Sequence, residues 1–169
     1  AHHEVAAVLV RRAQPAPLVR EQLHGAVADP PPPGLGVVHR RGARRQLERG
    51  KLVIMLNKFR EAEAIIPYRE QNHREHFHQG DTIRAVLKRL EETPKGPRLI
   101  LSRGDPLFVT ALFKLEVPEI QQQSVDIRAS AREVGSRTKV AVISRDDAID
   151  PVGACVGLKG SRVQAVVNE

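Results

Sequence analysis

The chain has no tryptophan, one tyrosine, one methionine, one cysteine and four phenylalanines in 169 residues. A single cysteine, Cys155, excludes an intrachain disulfide and suits a reducing compartment. Its neighbours Ala154 and Val156 make it a small core residue of a helix rather than a reactive thiol. No apolar run approaches the roughly 18 residues needed to cross a bilayer, and the start lacks a signal-peptide pattern. We therefore expect a soluble, cytoplasmic chain with no membrane contact. No set of nucleophile, base and orienting group can be assembled, so no enzyme is expected. The nearest approach is Asp146, Asp147 and Asp150, which fall between a strand and a helix N-terminus, where carboxylates are favoured electrostatically. Residues 1–50 contain no lysine, isoleucine or aromatic side chain, whereas Lys51, Ile54 and Phe59 follow almost at once.

Positive charge is abundant. The 27 Lys and Arg against 20 Asp and Glu give a formal charge of +7 and a pI near 10.2, which suits a polyanionic partner without identifying it. A chain this long can bury only modest cores, and two small modules fit best.

The stretch 150–167 reads as two short helices joined by the turn Gly157-Leu158-Lys159-Gly160. Asp150 can cap a helix that begins at Pro151, where the missing proline N–H costs nothing. Ser161 can cap a second helix carrying Val163, Val166 and Val167 on one face. Two glycines bracketing a basic residue let a backbone approach without a Cβ in the way, and the N–H groups at a helix start attract phosphate. This is the working part of a KH domain, whose GxxG turn clamps about four backbone nucleotides. A lone GxxG also fits a glycine-rich corner between helices, so the context decides. Ahead of it lies a hairpin of 124–129 and 138–144, in which Val125, Ile127 and Ala129 alternate with Asp126 and Arg128. Before that comes a helix capped by Asp105, starting at Pro106, burying Leu107, Ala111, Leu112 and Leu115, and stopping at Val117.

The runs FKLEVPEI (113–120), VDIRASAREVGSRTKVAV (125–142) and IDPVGACVGLKGSRVQAVVNE (149–169) closely resemble the first KH domain of the bacterial NusA family. The resemblance implies a bacterial-type (type II) KH domain over 105–169, in which Gly157 and Gly160 allow close approach and Lys159 and Arg162 meet phosphates. Val140, Val142, Val152 and Val156 would line the apolar groove under the bases. The family's domain continues into a third strand and a second KH domain. The KH sheet is therefore expected to be incomplete here, a two-stranded hairpin lacking its last strand.

Upstream, residues 1–34 read as a segment or linker with short helices near 4–12 and 17–24, ending in the stiff spacer Pro30–Pro33. Five short strands follow, at 35–39, 52–56, 61–66, 82–87 and 98–102, with Thr93-Pro94-Lys95-Gly96 as the last turn. Five strands in about 70 residues cannot build two sheets, and the commonest five-stranded answer is an OB barrel. The runs EAIIPYRE and HQGDTIRAVL resemble the S1-type OB fold of the same family, giving an α+β protein with an S1-type barrel over 35–104. OB surfaces stack bases on aromatic rings along a basic groove. Phe59, Tyr68 and Phe77 are the candidate rings, with Lys58, Arg60, Arg69, Arg74 and Arg84 near them. Phe59 reads as core, whereas Tyr68 and Phe77 lie in the connection between the third and fourth strands.

Rival motifs are weaker. His73, His76 and His78 could supply metal ligands, but no HExxH-type motif accompanies them, so an exposed polar loop is expected, with no metal or other cofactor. Arg103-Gly104-Asp105 is expected to be a strand-to-helix turn. The family resemblance implies a monomeric transcription elongation, termination and antitermination factor that binds single-stranded RNA, RNA polymerase and other antitermination factors. The alternative is an adaptor that docks on polymerase with incidental RNA contact.

Overall fold

The computed structural model describes residues 6–11, 37–41, 43–45, 50–55, 63–78, 80–94 and 96–169. They fall into two units, one combining the N-terminal strand β1 (Ala6–Arg11) with Phe113–Glu169, the other lying within Pro32–Leu112.

Within the second unit, short apolar runs become β2 (Val37–Arg41), β3 (Ala43–Arg45), β4 (Leu52–Met55), β5 (Glu63–Ile66), β6 (Thr82–Thr93) and β7 (Gly96–Ser102). They form one sheet in the order β2-β6-β7-β5-β4-β3. All its pairs are antiparallel except β5 with β7, where Ala64 faces Leu99 and Ile65 faces Ile100. A strand sends alternate side chains to one face, and the alternate residues Leu52 and Ile54, Ala64 and Ile66, and Ile83 and Ala85 join Leu101 in one buried cluster. Strand β3 has no counterpart in the sequence reading, because Ala43–Arg45 carries no apolar signal. Strand β6 runs six residues beyond the expected 87, since Lys88–Thr93, polar apart from the exposed Leu90, is recruited by pairing with β7 rather than by burial. A register shift between Leu87 and Arg89 marks a bulge at Lys88, a device that re-aims a side chain. The Thr93–Gly96 turn is closed by Thr93 Oγ1 donating to Gly96 O at 2.6 Å.

The other unit is built from the later elements α1 (Pro106–Glu116), α2 (Pro118–Gln121), β8 (Val125–Glu133), β9 (Arg137–Ser144), α3 (Pro151–Val156) and α4 (Ser161–Asn168), the unit boundary falling inside α1. Asp105 caps α1 through Oδ1, which accepts from Leu107 N at 3.0 Å. The buried residues of α1 are Phe108, Val109, Leu112 and Phe113, while Leu115 is 44 % exposed. Of the expected apolar face Leu112 is buried, but Leu107 and Ala111 are only half-buried, because the two phenylalanines fix the inward direction and leave Leu115 outside. Pro118 does more than stop a helix, since it occupies the first turn of α2.

The expectation of a two-stranded KH sheet is overturned. The sheet has the order β1-β9-β8, with β1 antiparallel to β9 from Ala6↔Val142 to Arg11↔Arg137. The helix expected near 4–12 is therefore a strand over its described residues. AAVLVR carries two valines around a leucine, and an unpaired edge of β9 supplies the partner that an isolated segment lacks. The second expected helix, near 17–24, lies outside the described residues. Val125, Val140, Val142, Cys155 and Val166 are buried in this unit, and α3 packs against β9 and β1.

Candidate nucleic-acid interface

The turn between α3 and α4 is set by its two glycines, each for a separate reason. Asp150 Oδ1 accepts from Val152 N at 3.0 Å and starts α3 at Pro151. The helix ends where Gly157 takes φ +73° and ψ 173° and its N–H bonds to Gly153 O at 2.9 Å. A tight turn, Leu158–Gly160, follows, closed by Gly160 N donating to Gly157 O at 3.0 Å. Lys159 is itself left-handed, at φ 53° and ψ 27°. Gly160, at φ 80° and ψ 12°, is the residue that precedes α4. Ser161, expected as the cap, is already helical at φ −59°, because the left-handed Gly160 has completed the change of direction one residue earlier.

A Cβ on Gly157 would stand 2.6 Å from Arg162 Cγ, whereas one on Gly160 would meet nothing nearer than Val163 Cγ1 at 3.9 Å. The first glycine is needed for internal packing and the second leaves open space. At the tip, Leu158 is 85 % exposed and Lys159 is exposed. With the Gly157 and Gly160 N–H groups used internally, those of Leu158 and Lys159 are the donors that the turn presents among the described residues.

Arg162, expected to meet phosphates, also bonds within its own unit. Its Nη1 donates to Ala154 O at 2.6 Å and to Glu119 Oε2 at 2.8 Å, so it ties the end of α3 to α2. Val140 and Val142 are fully buried under the helices, while Val152 and Val156 are half-buried on α3. Cys155 is buried between them in sequence, and burial pushes its thiol up to about 11, with the Glu119 and Asp150 carboxylates adding to the rise and Arg162 opposing it.

The remaining candidates belong to the other unit. Tyr68 opens a short turn, Tyr68–Glu70, and is 58 % exposed, its ring stacked on His73 with centroids 4.1 Å apart. Arg69 is exposed beside it. Phe77 is half-buried against the core cluster, with the Arg103 guanidinium 5.4 Å from its centroid. Arg84 lies on β6 between the buried Ile83 and Ala85, and its carbonyl oxygen accepts from Arg103 Nη1 at 2.5 Å. Lys58, Phe59 and Arg60 lie outside the described residues. Of the histidine run, His73 stacks on Tyr68, and His78 Nδ1 is 3.6 Å from Asp81. No three His, Cys, Asp or Glu side chains converge on one point among the described residues.

Sequence reasoning missed the groups that hold these surfaces. Arg103 is 4 % exposed and fork-bonds Glu75 through Nε at 2.6 Å and Nη2 at 2.9 Å. Lys88, re-aimed by the bulge, reaches Glu70 at 2.8 Å and Asp105 at 3.2 Å. Partial burial alone would lower the Lys88 pKa, but the two carboxylates outweigh it and hold the pKa above its ordinary value. Only the fixed spacing of Arg103 to the capping Asp105 was visible beforehand.

The helix pair, its GxxG turn and the sheet beneath define a KH-type module, the class of fold that clamps single-stranded nucleic acid. Residues 103–169 match the profile of the NusA-like first KH domain. The chain is similar to the transcription termination/antitermination protein NusA of Halalkalibacterium halodurans, 47% identical over 107 residues, which are 63% of this chain and 28% of that protein. The corresponding protein of Rickettsia prowazekii is 43% identical over 128 residues, 76% of this chain and 25% of that protein. That of Bacillus subtilis is 45% identical over 107 residues, 63% of this chain and 29% of that protein. The chain thus spans about a quarter of the length of these relatives, and the likeness lies in its C-terminal part.

Proposed function

We propose that the chain is the RNA-binding part of a NusA-like transcription elongation, termination and antitermination factor that acts in the cytoplasm, as a monomer, with RNA polymerase and other antitermination factors. It works by binding and not as an enzyme. Residues 35–104 form an S1-type OB barrel and residues 105–169 the KH module. Strand order supports the barrel: β2 and β3 are separated only by Gly42 yet stand at opposite ends of the six-strand order, as two halves of one strand pairing at both ends would. Counted so, the strands of this sheet among the described residues number five.

The observation that carries the RNA reading is the exposed tip Leu158-Lys159 between two glycines of positive φ, within residues that match a KH profile. Single-stranded RNA lays its backbone across Gly160, where no side chain intrudes, with phosphates meeting Lys159 and the tip N–H groups. Arg162 acts one step behind, holding the turn in shape, and Val152 and Val156 offer the apolar margin, with Val140 and Val142 as its floor. Filter binding of single-stranded RNA across a salt series tests this. Phosphate contacts predict a steep fall in affinity as salt rises, and Gly160→Asp should abolish the KH contribution. Salt-independent binding, or full affinity in Gly160→Asp, would refute the clamp and favour the adaptor reading.

A further inference from the structure

We infer that Glu119, on α2, is a positioning residue for the RNA clamp: it touches no RNA itself, and through Arg162 it keeps the Gly157–Gly160 turn in the shape that a single strand requires. The inference deepens the RNA-binding reading given above and rests on it.

Three observations carry it. The first is the path from Glu119 to the turn, which is a single side chain long. Arg162 Nη1 donates to Glu119 Oε2 at 2.8 Å and to Ala154 O at 2.6 Å. Cγ, Cδ and Cβ of the same arginine lie 2.6, 2.9 and 3.0 Å from where a Cβ on Gly157 would stand. The head of Arg162 is thus fixed by α2 and α3 while its stem fills the space beside the first glycine of the turn. Both anchoring bonds run through one nitrogen. Without Glu119 the guanidinium keeps one of these two acceptors and can pivot about it, and the stem against Gly157 follows.

The second is that Glu119 stands on fixed backbone. Helix α2 begins at Pro118, directly after the fully buried Val117, whose N–H bonds to Phe113 O at 2.9 Å. Ile120, the next residue, is buried, and Glu119 O accepts from Ser124 N at 2.9 Å. The Arg162 and Glu119 side chains are 30 % and 29 % exposed, so water competes for them less than at an open surface pair. A carboxylate held in this way presets its partner, and a preset turn has less freedom to lose when RNA arrives.

The third is the sign of the charge. A carboxylate opposes a polyanion, so removing a bystander acid from a chain of net charge +7 should raise its affinity for RNA. Removing a positioning acid does the reverse, because the slackened turn must be ordered again at each binding event. The two roles therefore differ in the direction of the effect and not only in its size.

The full chain is titrated into a fluorescein-labelled single-stranded RNA of about 12 nucleotides, ample for the roughly four that a KH turn grips, and anisotropy is followed across a salt series. Denaturant melts establish that each variant is folded under the assay conditions. Glu119→Ala should weaken binding about two- to thirtyfold, the range for residues that act on a site without touching its ligand. Its salt slope should equal the parent's, since no phosphate contact is removed. Glu119→Gln, whose amide oxygen still accepts from Arg162 Nη1, should recover most of that loss. Arg162→Ala should also weaken binding, and Glu119→Ala added to it should weaken it no further, the non-additivity of two residues that act as one. Parental affinity in Glu119→Ala would overturn the inference by making the pair a structural tie alone. Tighter binding would overturn it by making Glu119 a bystander charge, and additive losses in the double variant would overturn the route through Arg162. Failure of the clamp shows differently: Gly160→Asp, titrated alongside, would then bind with full affinity, whereas failure of the positioning role alone leaves Gly160→Asp weakened.

Discussion

Gly157 and Arg162 occupy each other's space: the arginine's Cγ and Cδ lie where a Cβ on Gly157 would reach, at 2.6 and 2.9 Å. The same guanidinium then donates to Ala154 O and Glu119 Oε2. Turn shape and the α2–α3 tie are therefore one feature. Gly157→Ala should cost about 1–3 kcal/mol for a conformation, φ 73° and ψ 173°, that is almost reserved to glycine, plus the displacement of Arg162, and Gly160→Ala only the left-handed penalty of about 1–2 kcal/mol. Denaturant melts of both variants check the ranking; an equal loss would mean that Arg162 yields without cost.

Lys159→Ala should weaken RNA binding uniformly across sequences and lower the slope of log affinity against log salt by about one unit. A loss confined to particular sequences would assign the side chain to bases instead.

Arg103 and Glu75 form a fork in a nearly water-free setting, at 4 % and 11 % side-chain exposure. Removing one partner of a buried pair leaves a stranded charge, so Glu75→Ala should destabilise by about 3–5 kcal/mol. Replacing both, as Arg103→Met with Glu75→Leu, should recover most of that loss. A double-mutant cycle by urea unfolding measures it.

The Cys155 thiol, raised from 9.0 to about 11 by burial, stays protonated in the folded chain where an unfolded one ionises. Its contribution to stability is therefore complete below about pH 9 and is lost as pH rises towards 11. Thermal melts from pH 8 to 11 should decline, and Cys155→Ala should flatten that decline. A thiol reagent at pH 8 should react with Cys155 only on unfolding.

Deleting residues 1–12 should open the β9 edge now paired by β1. Amide exchange across Arg137–Val142 should accelerate, and the melting midpoint should fall. Unchanged exchange would show that β1 contributes nothing to the sheet.

The KH helices were legible because their signals are local: Asp150 before Pro151, and two glycines three apart, act within one turn of chain. The face of α1 was less so, since Leu115 and Phe113 are equally apolar in sequence and only packing separates them. Strand β1 was illegible for a stronger reason. Nothing within Ala6–Arg11 names a partner more than a hundred residues away, and apolar residues in short runs fit helix and strand alike. The Tyr68–His73 stack was half legible: the tyrosine was singled out, but five residues around a pinned turn follow no periodicity that would pair it with His73.

The pairing of Ala6 with Val142 also sets an order of events during synthesis. All of β2 to β7 lies between these two residues in the chain. At roughly 5–20 residues per second, β1 leaves the ribosome on the order of ten seconds before its partner strand exists. The intervening sheet can fold in that interval, since its own strands are complete by Ser102. Strand β1, made before β2 to β7, is thus among the last to find its place, and until then it is an unpaired apolar strand exposed to whatever else is nearby.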